Sequence, residues 1–422
     1  MRIAQIAPLQ VAVPPAAYGG TERVVHNLTE ALVRLGHDVT LFATGDSRTS
    51  ARLVPVVERA INFDPAVDVV ALHRAELAEV YRQADQFDVI HSHVEHLTPP
   101  FAATTRTPTV VTLHGRLDLP VSAAAFGTPT TCRYVSISQS QRRDLPDLAW
   151  VATVHHGVDV DDFRYYPEPG PYLAFVGRIC PEKRLDRAIA IAMHAGIPLK
   201  VAAKIDPMDA AYFQTVIAPL LDHPLVEFLG EVDEAGKREL MGGALALVLP
   251  IDWPEPFGMV FIEALACGTP ILTCPRGSVP ELLRDGVTGY ACEGEDACVE
   301  AVQALRGISR AGCRAYVKAR FDTRAMALAY LNVYATVRGE KAPFVDPALH
   351  LPATDLAVPA PTVPVQPTVS HRSVGAVAHP VASAAALDGL DAGPIPDDVP
   401  ERLVATATVP PIGGGVRRQV EG

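Results

Sequence analysis

Residues 245–270 read LALVLPIDWPEPFGMVFIEALACGTP, and this stretch decides the fold. The apolar run Leu245–Leu249 predicts a buried strand, and the prolines on either side of Glu255 predict a loop. A helix is then expected to begin near Phe257 or Gly258. The first free N–H groups and the positive dipole end of such a helix form a binding place for a phosphate.

Two glutamates flank this expected phosphate site. Glu255 stands just before the helix, and Glu263 lies about a turn and a half inside it, among apolar neighbours. A buried carboxylate needs hydrogen-bond donors, and sugar hydroxyls can supply them. One acid at each end of a phosphate site therefore fits a nucleotide sugar. The alternative is an ordinary strand-loop-helix whose glutamates are a solvated cap and a surface residue.

Strand-like runs alternate with helical patterns along most of the chain. The first series is Arg2–Ala7, Asp38–Ala43, Asp88–His91, Thr109–His114, Arg133–Ile137 and Ala152–His155. The second is Tyr172–Val176, Leu199–Ala203, Val226–Leu229, Leu245–Leu249, Pro270–Thr273 and Gly289–Ala291. Helical patterns separate them, among them Thr21–Leu35, Glu182–His194 and Asp209–Leu221. Such alternation predicts parallel sheets of β-α-β units, and two series predict an α/β protein with two Rossmann-like domains.

This pattern divides the chain into four parts. Residues 1–165 are predicted to form the first Rossmann-like domain and 166–320 the second. An amphipathic run over 321–341 predicts a helix. From residue 342 to 422 Pro, Ala, Val and Thr dominate without helical or strand period, which predicts a disordered tail. Open α/β sheets bind ligands at their carboxyl-terminal strand edges, so a ligand site is expected at such an edge.

Composition limits the classes of partner. The 422 residues carry a formal net charge of −12, which argues against nucleic acid as a ligand. The seven cysteines are scattered without C-x-x-C pairs, which indicates reduced thiols in a cytoplasmic protein. No stretch of about 18 apolar residues occurs, so no transmembrane segment is expected, although peripheral membrane contact stays open.

Three further segments carry groups suited to a phosphate or a sugar. Gly19 and Gly20 open the first long helix, where the backbone can approach an anion closely, and they do not form the G-x-G-x-x-G pattern of NAD sites. Arg178 and Lys183 lie on one strand-to-helix loop, where two cations can stabilise a diphosphate without a metal. His114 ends the strand Thr109–His114, and a histidine at a carboxyl-terminal strand edge is expected to face the cleft.

Together these segments resemble the retaining glycosyltransferases of family 4, which have the two-domain GT-B fold; the resemblance implies an active site in the cleft between the two Rossmann-like domains. The resemblance covers roughly residues 1–338. It implies that the helix at residues 321–341 crosses back onto the first domain, which binds the acceptor, while the second domain binds the nucleotide-sugar donor. His156-Gly157-Val158-Asp159 also resembles a family turn, although asparagine is usual where His156 stands.

The resemblance also implies roles for individual residues. Glu255 would hold the donor sugar, Glu263 the ribose, and His114 would contact the sugar near the reacting carbon. Arg178 and Lys183 would bind the diphosphate. The remaining donor-site and phosphate-loop residues are Phe257, Gly258, Met259, Val260, Gly19 and Gly20, with Lys204 as a weaker candidate for the same cleft. No cofactor beyond the co-substrate and no metal is expected, and Glu281 would hold its own loop in place.

A histidine cluster offers the main competing interpretation. His91-Ser92-His93-Val94-Glu95-His96 is similar to the ligand set of zinc hydrolases of the metallo-β-lactamase type, in which imidazole and carboxylate groups bind the metal. Glu95 stands where that set has aspartate, and the βα alternation lacks the antiparallel strands of such enzymes. A non-catalytic nucleotide-sugar-binding protein is the other alternative.

The expected reaction is therefore transfer of a hexose from a UDP-, GDP- or ADP-sugar to an acceptor, with retention of anomeric configuration. No carboxylate can be assigned as the base of an inverting enzyme, since Asp118 lies in a loop of unknown direction. The sequence does not specify the base, the donor sugar or the acceptor, which could be a sugar, a lipid-linked group or a small metabolite.

Overall fold

The computed structural model describes residues 1–17, 19–127 and 130–344, and within them it contains two separate parallel sheets. Seven strands form the first sheet: β1 (Arg2–Ile6), β2 (Asp38–Thr44), β3 (Arg52–Val57), β4 (Val89–Ser92), β5 (Thr109–Thr112), β6 (Arg133–Ser136) and β7 (Trp150–Thr153). Their order is β3-β2-β1-β4-β5-β6-β7. The predicted tail lies outside the described residues from residue 345 onward.

Six strands form the second sheet, in the order β10-β9-β8-β11-β12-β13. They are β8 (Leu173–Ile179), β9 (Leu199–Ile205), β10 (Val226–Gly230), β11 (Ala246–Leu249), β12 (Ile271–Thr273) and β13 (Gly289–Ala291). Every pairing in both sheets is parallel. The prediction of an α/β protein with two Rossmann-like sheets is confirmed.

The described residues form thirteen α-helices, which lie between the strands or, for the last three, follow β13. They are α1 (Gly20–Arg34), α2 (Val69–Arg82), α3 (Pro99–Ala102), α4 (Pro120–Phe126), α5 (Gln139–Arg142), α6 (Leu185–Ala195), α7 (Ala210–Tyr212), α8 (Glu234–Gly242), α9 (Met259–Ala266), α10 (Val279–Leu282), α11 (Glu295–Ala304), α12 (Arg310–Arg320) and α13 (Thr323–Val337). No helix in these residues is long and apolar enough to cross a membrane.

Two details of the predicted pattern are wrong. The strand count omits β3, where Pro55 interrupts the apolar run; proline is tolerated there because β3 is an edge strand. The expected regular helix over Asp209–Leu221 is instead a short α-helix, a π-helical turn at Phe213–Ile217 and a 3-10 turn at Ala218–Leu220. Pro219 explains the break, since it cannot donate a hydrogen bond to the preceding turn.

The chain crosses between the two sheets a second time at α13, the last helix of the described residues. Phe321 packs in the core of the second sheet, whereas Met326, Tyr330 and Tyr334 of α13 pack in the core of the first. At the crossing point the Val158 N–H donates to the Phe321 carbonyl at 2.9 Å, and the Thr323 N–H donates to Val158 at 3.1 Å. The final helix thereby connects the two sheets by backbone hydrogen bonds and by core packing.

The seven cysteines are all free, and six of them are buried. This agrees with the expectation of reduced thiols. Burial raises the pKa of the Cys267 and Cys313 thiols to about 12, so these two groups remain protonated and behave as small apolar side chains.

Candidate functional site

A cavity of about 560 Å³ lies between the loops that follow the strands of the two sheets. Every site residue predicted from the sequence lines it: Gly19, Gly20, His114, Arg178, Lys183, Glu255, Phe257, Gly258, Met259, Val260 and Glu263. Lys204, the weaker candidate, lines it too. Residues that are distant in sequence thus converge because parallel strands deliver their following loops to one edge.

The loop before α9 places Glu255 in this cavity. The Glu255 carbonyl accepts a hydrogen bond from the Ser278 N–H at 2.9 Å. Gly277 packs so closely, with φ +57°, that a Cβ there would lie 2.3 Å from the Glu255 nitrogen. The Glu255 carboxylate is buried, pairs with the Lys183 ammonium and accepts from the Trp253 indole N–H at 3.1 Å. Its buried charge is therefore compensated.

The helix begins at Met259, one or two residues later than predicted, with Gly258 as its N-cap. Gly258 has φ +86°, and a Cβ there would lie 2.6 Å from the Phe261 ring, so this position requires glycine. The N–H groups of Met259 and Val260 lie in the first turn of the helix, where no intrahelical carbonyl accepts from them, and they can bind an anion. The expected phosphate site thus has the backbone geometry that it needs.

The second glutamate belongs to a chain of charges that spans the cavity. Glu263 is 3% exposed, and its carboxylate lies 3.0 Å from the Lys237 ammonium. Lys237 also lies 2.8 Å from Glu234, which in turn lies 2.8 Å from the Arg23 guanidinium of α1. Both sheets therefore contribute to one ion-pair network beside Glu263.

The Arg178–Lys183 loop is fixed to the loop that carries Glu255. Arg178 is at the end of β8 and lies 3.5 Å from Asp209, and Lys183 ends a 3-10 turn at Pro181–Lys183. The Asp252 N–H donates to the Glu182 carbonyl at 2.9 Å, which joins the two loops. Lys183 is therefore held next to the start of α9 by this backbone hydrogen bond as well as by its ion pair with Glu255.

The glycine pair before α1 forms the opposite wall. A Cβ at Gly19 would lie 2.7 Å from the Pro15 side chain, whereas nothing lies within 4 Å of one at Gly20. Arg23 donates to the Pro15 and Ala17 carbonyls at 3.2 Å each, which shapes the loop. The backbone can thus approach a ligand at Gly20 without a side chain in between.

His114 is held by its main chain as well as by its ring. The Glu95 carboxylate accepts from the N–H groups of His114 and Gly115, at 2.8 and 3.0 Å. The imidazole stacks on His156 with ring centroids 5.2 Å apart, and its Nε2 lies 2.8 Å from Nδ1 of His93. Burial lowers the His114 pKa to about 3, so the ring is neutral at physiological pH.

The zinc interpretation is not supported, because protein groups occupy the ring nitrogens of His91 and His93 and His96 lies apart from them. His91 is buried between Thr112 and Tyr334, at 2.8 Å from each, and His93 contacts His114. His96 is exposed, with its ring 6.3 Å from that of Phe126. In the part of the chain that the structure describes, no three His, Cys, Asp or Glu side chains are placed to hold a metal ion.

Sequence reasoning passed over several residues of the site. Lys237, His156 and Trp253 line the cavity and contact Glu263, His114 and Glu255, respectively. The rarity of lysine was a usable signal, since three of the six lysines of the chain (Lys183, Lys204 and Lys237) line the cavity. Glu281 lies elsewhere: it accepts from the Gln139 and Ser140 N–H groups at 2.8 Å and so joins the second domain to the first.

Two family models match adjacent parts of the chain. The model described as Glycosyltransferase Family 4 matches residues 18–162, and the model described as Glycosyl transferases group 1 matches residues 163–306. The two matches meet between Asp162 and Phe163. Apart from Ala17, every residue that lines the cavity lies within one of these two matches.

Curated relatives match over almost their full length. Glycogen synthase of Mycobacterium tuberculosis is 28% identical over 410 residues, which covers 82% of this chain and 97% of the relative. Phosphatidyl-myo-inositol mannosyltransferase of the same organism is 26% identical over 396 residues, which covers 81% and 98%.

Solved structures share the fold. Sucrose-phosphate synthase from Thermosynechococcus elongatus superposes with a TM-score of 0.66 at 19% identity, covering 80% of this chain and 99% of the other. The Anabaena protein HepE in complex with UDP and glucose gives a TM-score of 0.62 at 18% identity, covering 80% and 100%.

Proposed function

Because the chain belongs to glycosyltransferase family 4 and has the GT-B fold, we propose that it transfers a hexose from a nucleoside-diphosphate sugar to an acceptor with retention of configuration. The observation that carries this proposal is a pair of buried glutamates near the start of α9. One, Glu255, precedes the helix and the other, Glu263, lies inside it, and each pairs with a lysine. The donor class is supported by the solved structure of HepE, which holds UDP and glucose.

The charges of the cavity suit a departing diphosphate. Lys183, Arg178 and the first N–H groups of α9 supply positive potential where the leaving group would develop negative charge. Glu255 would bind hydroxyls of the donor sugar, and Glu263 those of the ribose. A diphosphate would then share the Lys183 ammonium with Glu255, which would orient the sugar towards the cation that stabilises its leaving group.

Retention is supported by the shortage of bases on the first-domain wall. Among the described residues of that wall, none that lines the cavity is an aspartate or glutamate. Its histidines, His114 and His156, both have a pKa lowered by burial, which makes them weak bases. Asp118 is paired with Arg116 at 2.7 Å. The departing phosphate oxygen would therefore accept the acceptor's proton as the acceptor enters from the same face.

We expect nucleotide binding to require Glu263. A thermal-shift screen with UDP-, GDP- and ADP-sugars should identify a donor that stabilises the fold by about 2.7 kcal/mol at roughly 100 times its Kd. Glu263→Ala should weaken binding of the matching nucleoside diphosphate roughly 10- to 100-fold, because it removes a charged hydrogen-bond acceptor. Glu255→Ala should mainly lower turnover and sugar preference.

Glu227→Ala is the matched control for these two variants. Glu227 is an exposed glutamate of the second domain that pairs with Lys200 on the surface, outside the cavity. Its replacement should leave binding and turnover unchanged. Sugar transfer at the unmodified rate by both the Glu255 and the Glu263 variants would refute the assignment of this site, and binding without any turnover would favour the non-catalytic alternative.

The product is expected to keep the anomeric configuration of the donor. With an α-linked glucose donor, the NMR coupling constant of the new anomeric proton should be the small value of an α-glycoside. The physical reason is the same-face route described above, in which no protein base on the opposite face is needed. A large coupling, indicating a β-linked product, would refute the mechanism.

A further inference from the structure

A series of buried hydrogen bonds runs from α13 to His114. The Tyr334 hydroxyl of α13 accepts from the Gln5 amide nitrogen at 3.2 Å. The Gln5 amide oxygen lies 3.0 Å from Nε2 of His93, and His93 Nδ1 lies 2.8 Å from Nε2 of His114. Tyr334, Gln5 and His93 are at most 2% exposed, whereas His114 reaches the cavity. These hydrogen bonds thus connect the buried core of the first sheet to the candidate site.

The Gln5 amide has a hydrogen-bond donor at its nitrogen and an acceptor at its oxygen, and this fixes which group donates in each of these hydrogen bonds. Because the amide nitrogen donates to Tyr334, the amide oxygen faces His93 and must accept its Nε2–H. Burial lowers the pKa of His93 far below its usual range, so the ring carries a single proton. That proton is on Nε2, and Nδ1 is left as an acceptor. His114 must therefore donate its own Nε2–H to His93.

A second series of hydrogen bonds starts at Tyr334, and its donors and acceptors agree with this assignment. Tyr334 accepts from Gln5 and can donate its own proton to Nδ1 of His91, at 2.8 Å. His91 Nε2 then donates to Thr112 at 2.8 Å, and Thr112 lies 2.9 Å from the Tyr330 hydroxyl. Each buried polar atom named here has a partner with all rings neutral, which is the condition for a stable buried network.

We propose that Gln5 and His93 are positioning residues that hold His114 as its Nε2–H tautomer, so that its Nδ1 lone pair is the acceptor presented to a substrate hydroxyl. The inference rests on the proposed function, since it takes the substrate to be a sugar in the cavity. Among the described residues no group hydrogen-bonds to Nδ1 of His114. A ring locked in this tautomer distinguishes a hydroxyl, which can donate, from groups that cannot.

The proposal assigns a role to the sequence positions that suggested zinc. His93 lies between Gln5 on β1 and His114 after β5, so three neighbouring strands of the first sheet supply these hydrogen bonds. Helix α13 contributes through Tyr334, 329 residues from Gln5 in the sequence. The folded position of α13 thereby influences the protonation pattern at the site.

The tautomer can be read by NMR in the protein alone, without a donor or an acceptor. Long-range ¹H–¹⁵N correlations should show Nε2–H tautomers for both His93 and His114, with a slowly exchanging Nε2 proton on His114. A His114 ring protonated at Nδ1 would overturn the proposal. Because no substrate is present, this reading stays valid even if the proposed transfer reaction is wrong.

Two replacements of His93 separate hydrogen bonding from packing. His93→Leu removes the acceptor, so kcat/KM for sugar transfer should fall roughly tenfold, as expected for one lost hydrogen bond, and the His114 Nε2 proton should exchange rapidly. His93→Asn places Oδ1 near the former Nδ1, so it should recover most of the loss and slow the exchange again. If packing alone mattered, the apolar leucine would be tolerated at least as well as asparagine.

Two controls complete the test. Tyr330→Phe removes a buried hydroxyl from the same helix, but that hydroxyl contacts Thr112 and not Gln5 or His93, so rate and tautomer should stay unchanged. The affinity of each His93 variant for UDP, GDP or ADP, whichever stabilises the protein, should also be unchanged, because these ligands carry no sugar at His114. Equal rates in the leucine, asparagine and unmodified proteins would refute the proposal.

Discussion

Replacing Lys183 with methionine is expected to lower kcat for sugar transfer by about 30- to 1000-fold, which corresponds to about 2–4 kcal/mol of transition-state stabilisation. Lys183 is half-buried, its ammonium pairs with Glu255, and it lies over the Trp253 ring at 5.3 Å. In this partly desolvated position a cation acts strongly on a leaving diphosphate. Methionine keeps the length of the side chain, so the measured loss reports the charge.

A double variant distinguishes two causes of this loss. Lys183→Met leaves the buried Glu255 carboxylate without its cation, which is itself unfavourable. If that were the only effect, Lys183→Met combined with Glu255→Gln would be no slower than Glu255→Gln alone; because Lys183 also acts on the diphosphate, we expect the double variant to be slower still. Lys200→Met is the matched control, because Lys200 pairs with Glu227 on the surface of the same domain.

Excess chelator should leave the transfer rate of the unmodified protein unchanged, since protein cations carry the diphosphate in this proposal. The Asp-x-Asp sequence of Asp159 and Asp161 does not alter this expectation. These aspartates pair with Arg34 at 3.2 Å and Lys318 at 3.4 Å, and neither lines the cavity. Activity that disappears with chelator and returns with one equivalent of a divalent metal would contradict the metal-independent mechanism.

The sequence predicted those strands and helices whose apolar pattern matches their burial in the fold. Strands such as β8 and β11 contain continuous apolar runs, at residues 173–176 and 246–249, because both of their faces are covered there, and the pattern therefore identifies them within a few residues. β3 was missed because it is a half-exposed edge strand with Pro55 inside it. The break after Tyr212 was missed because helical periodicity continues through Pro219 although the backbone cannot.

The site was predictable where glycines and charges occur at fixed spacing along one loop. Glu255, Gly258 and Glu263 are of this kind. The partners of those residues were not predictable, because Lys237 reaches Glu263 from another helix and His93 reaches His114 from another strand. The histidines at the end of β4 show the limit clearly. Their spacing fits a metal, and the rings of His91 and His93 do lie 4.2 Å apart, but hydrogen bonds to other strands and to α13 occupy their nitrogens, and His96 lies at the surface.

A chain that ends at Arg320 is expected not to fold cooperatively, because it lacks α13. This helix buries Met326, Leu331 and Val333 together with two tyrosines in the core of the first sheet. Each fully buried aliphatic side chain contributes about 1.5–3 kcal/mol. Their sum approaches or exceeds the roughly 5–15 kcal/mol by which a domain is usually stable. Loss of α13 would also remove the Tyr334 hydroxyl from Gln5 and His91.

A chain that ends at Phe344 is the matched control and should keep the melting temperature of the full chain. It retains α13 and the hydrogen bonds between Asn332 and the Phe344 backbone, at 3.0 and 3.1 Å. The composition of residues 345–422, rich in proline and alanine, predicts that they add no core. Circular dichroism melts of the two truncated chains and the full chain measure this difference directly, and equal melting temperatures for both truncations would contradict the role of α13.

Point variants test the same helix without shortening the chain, in case the shorter product is degraded in the cell. Leu331→Ala should lower the free energy of unfolding by about 2–5 kcal/mol, because Leu331 is 1% exposed and its truncation leaves a cavity in a packed core. Thr336→Ala, at an exposed position of α13, should change it by less than about 0.5 kcal/mol. Only a helix that packs as part of the first core produces this contrast; one attached loosely to the surface would tolerate both changes equally.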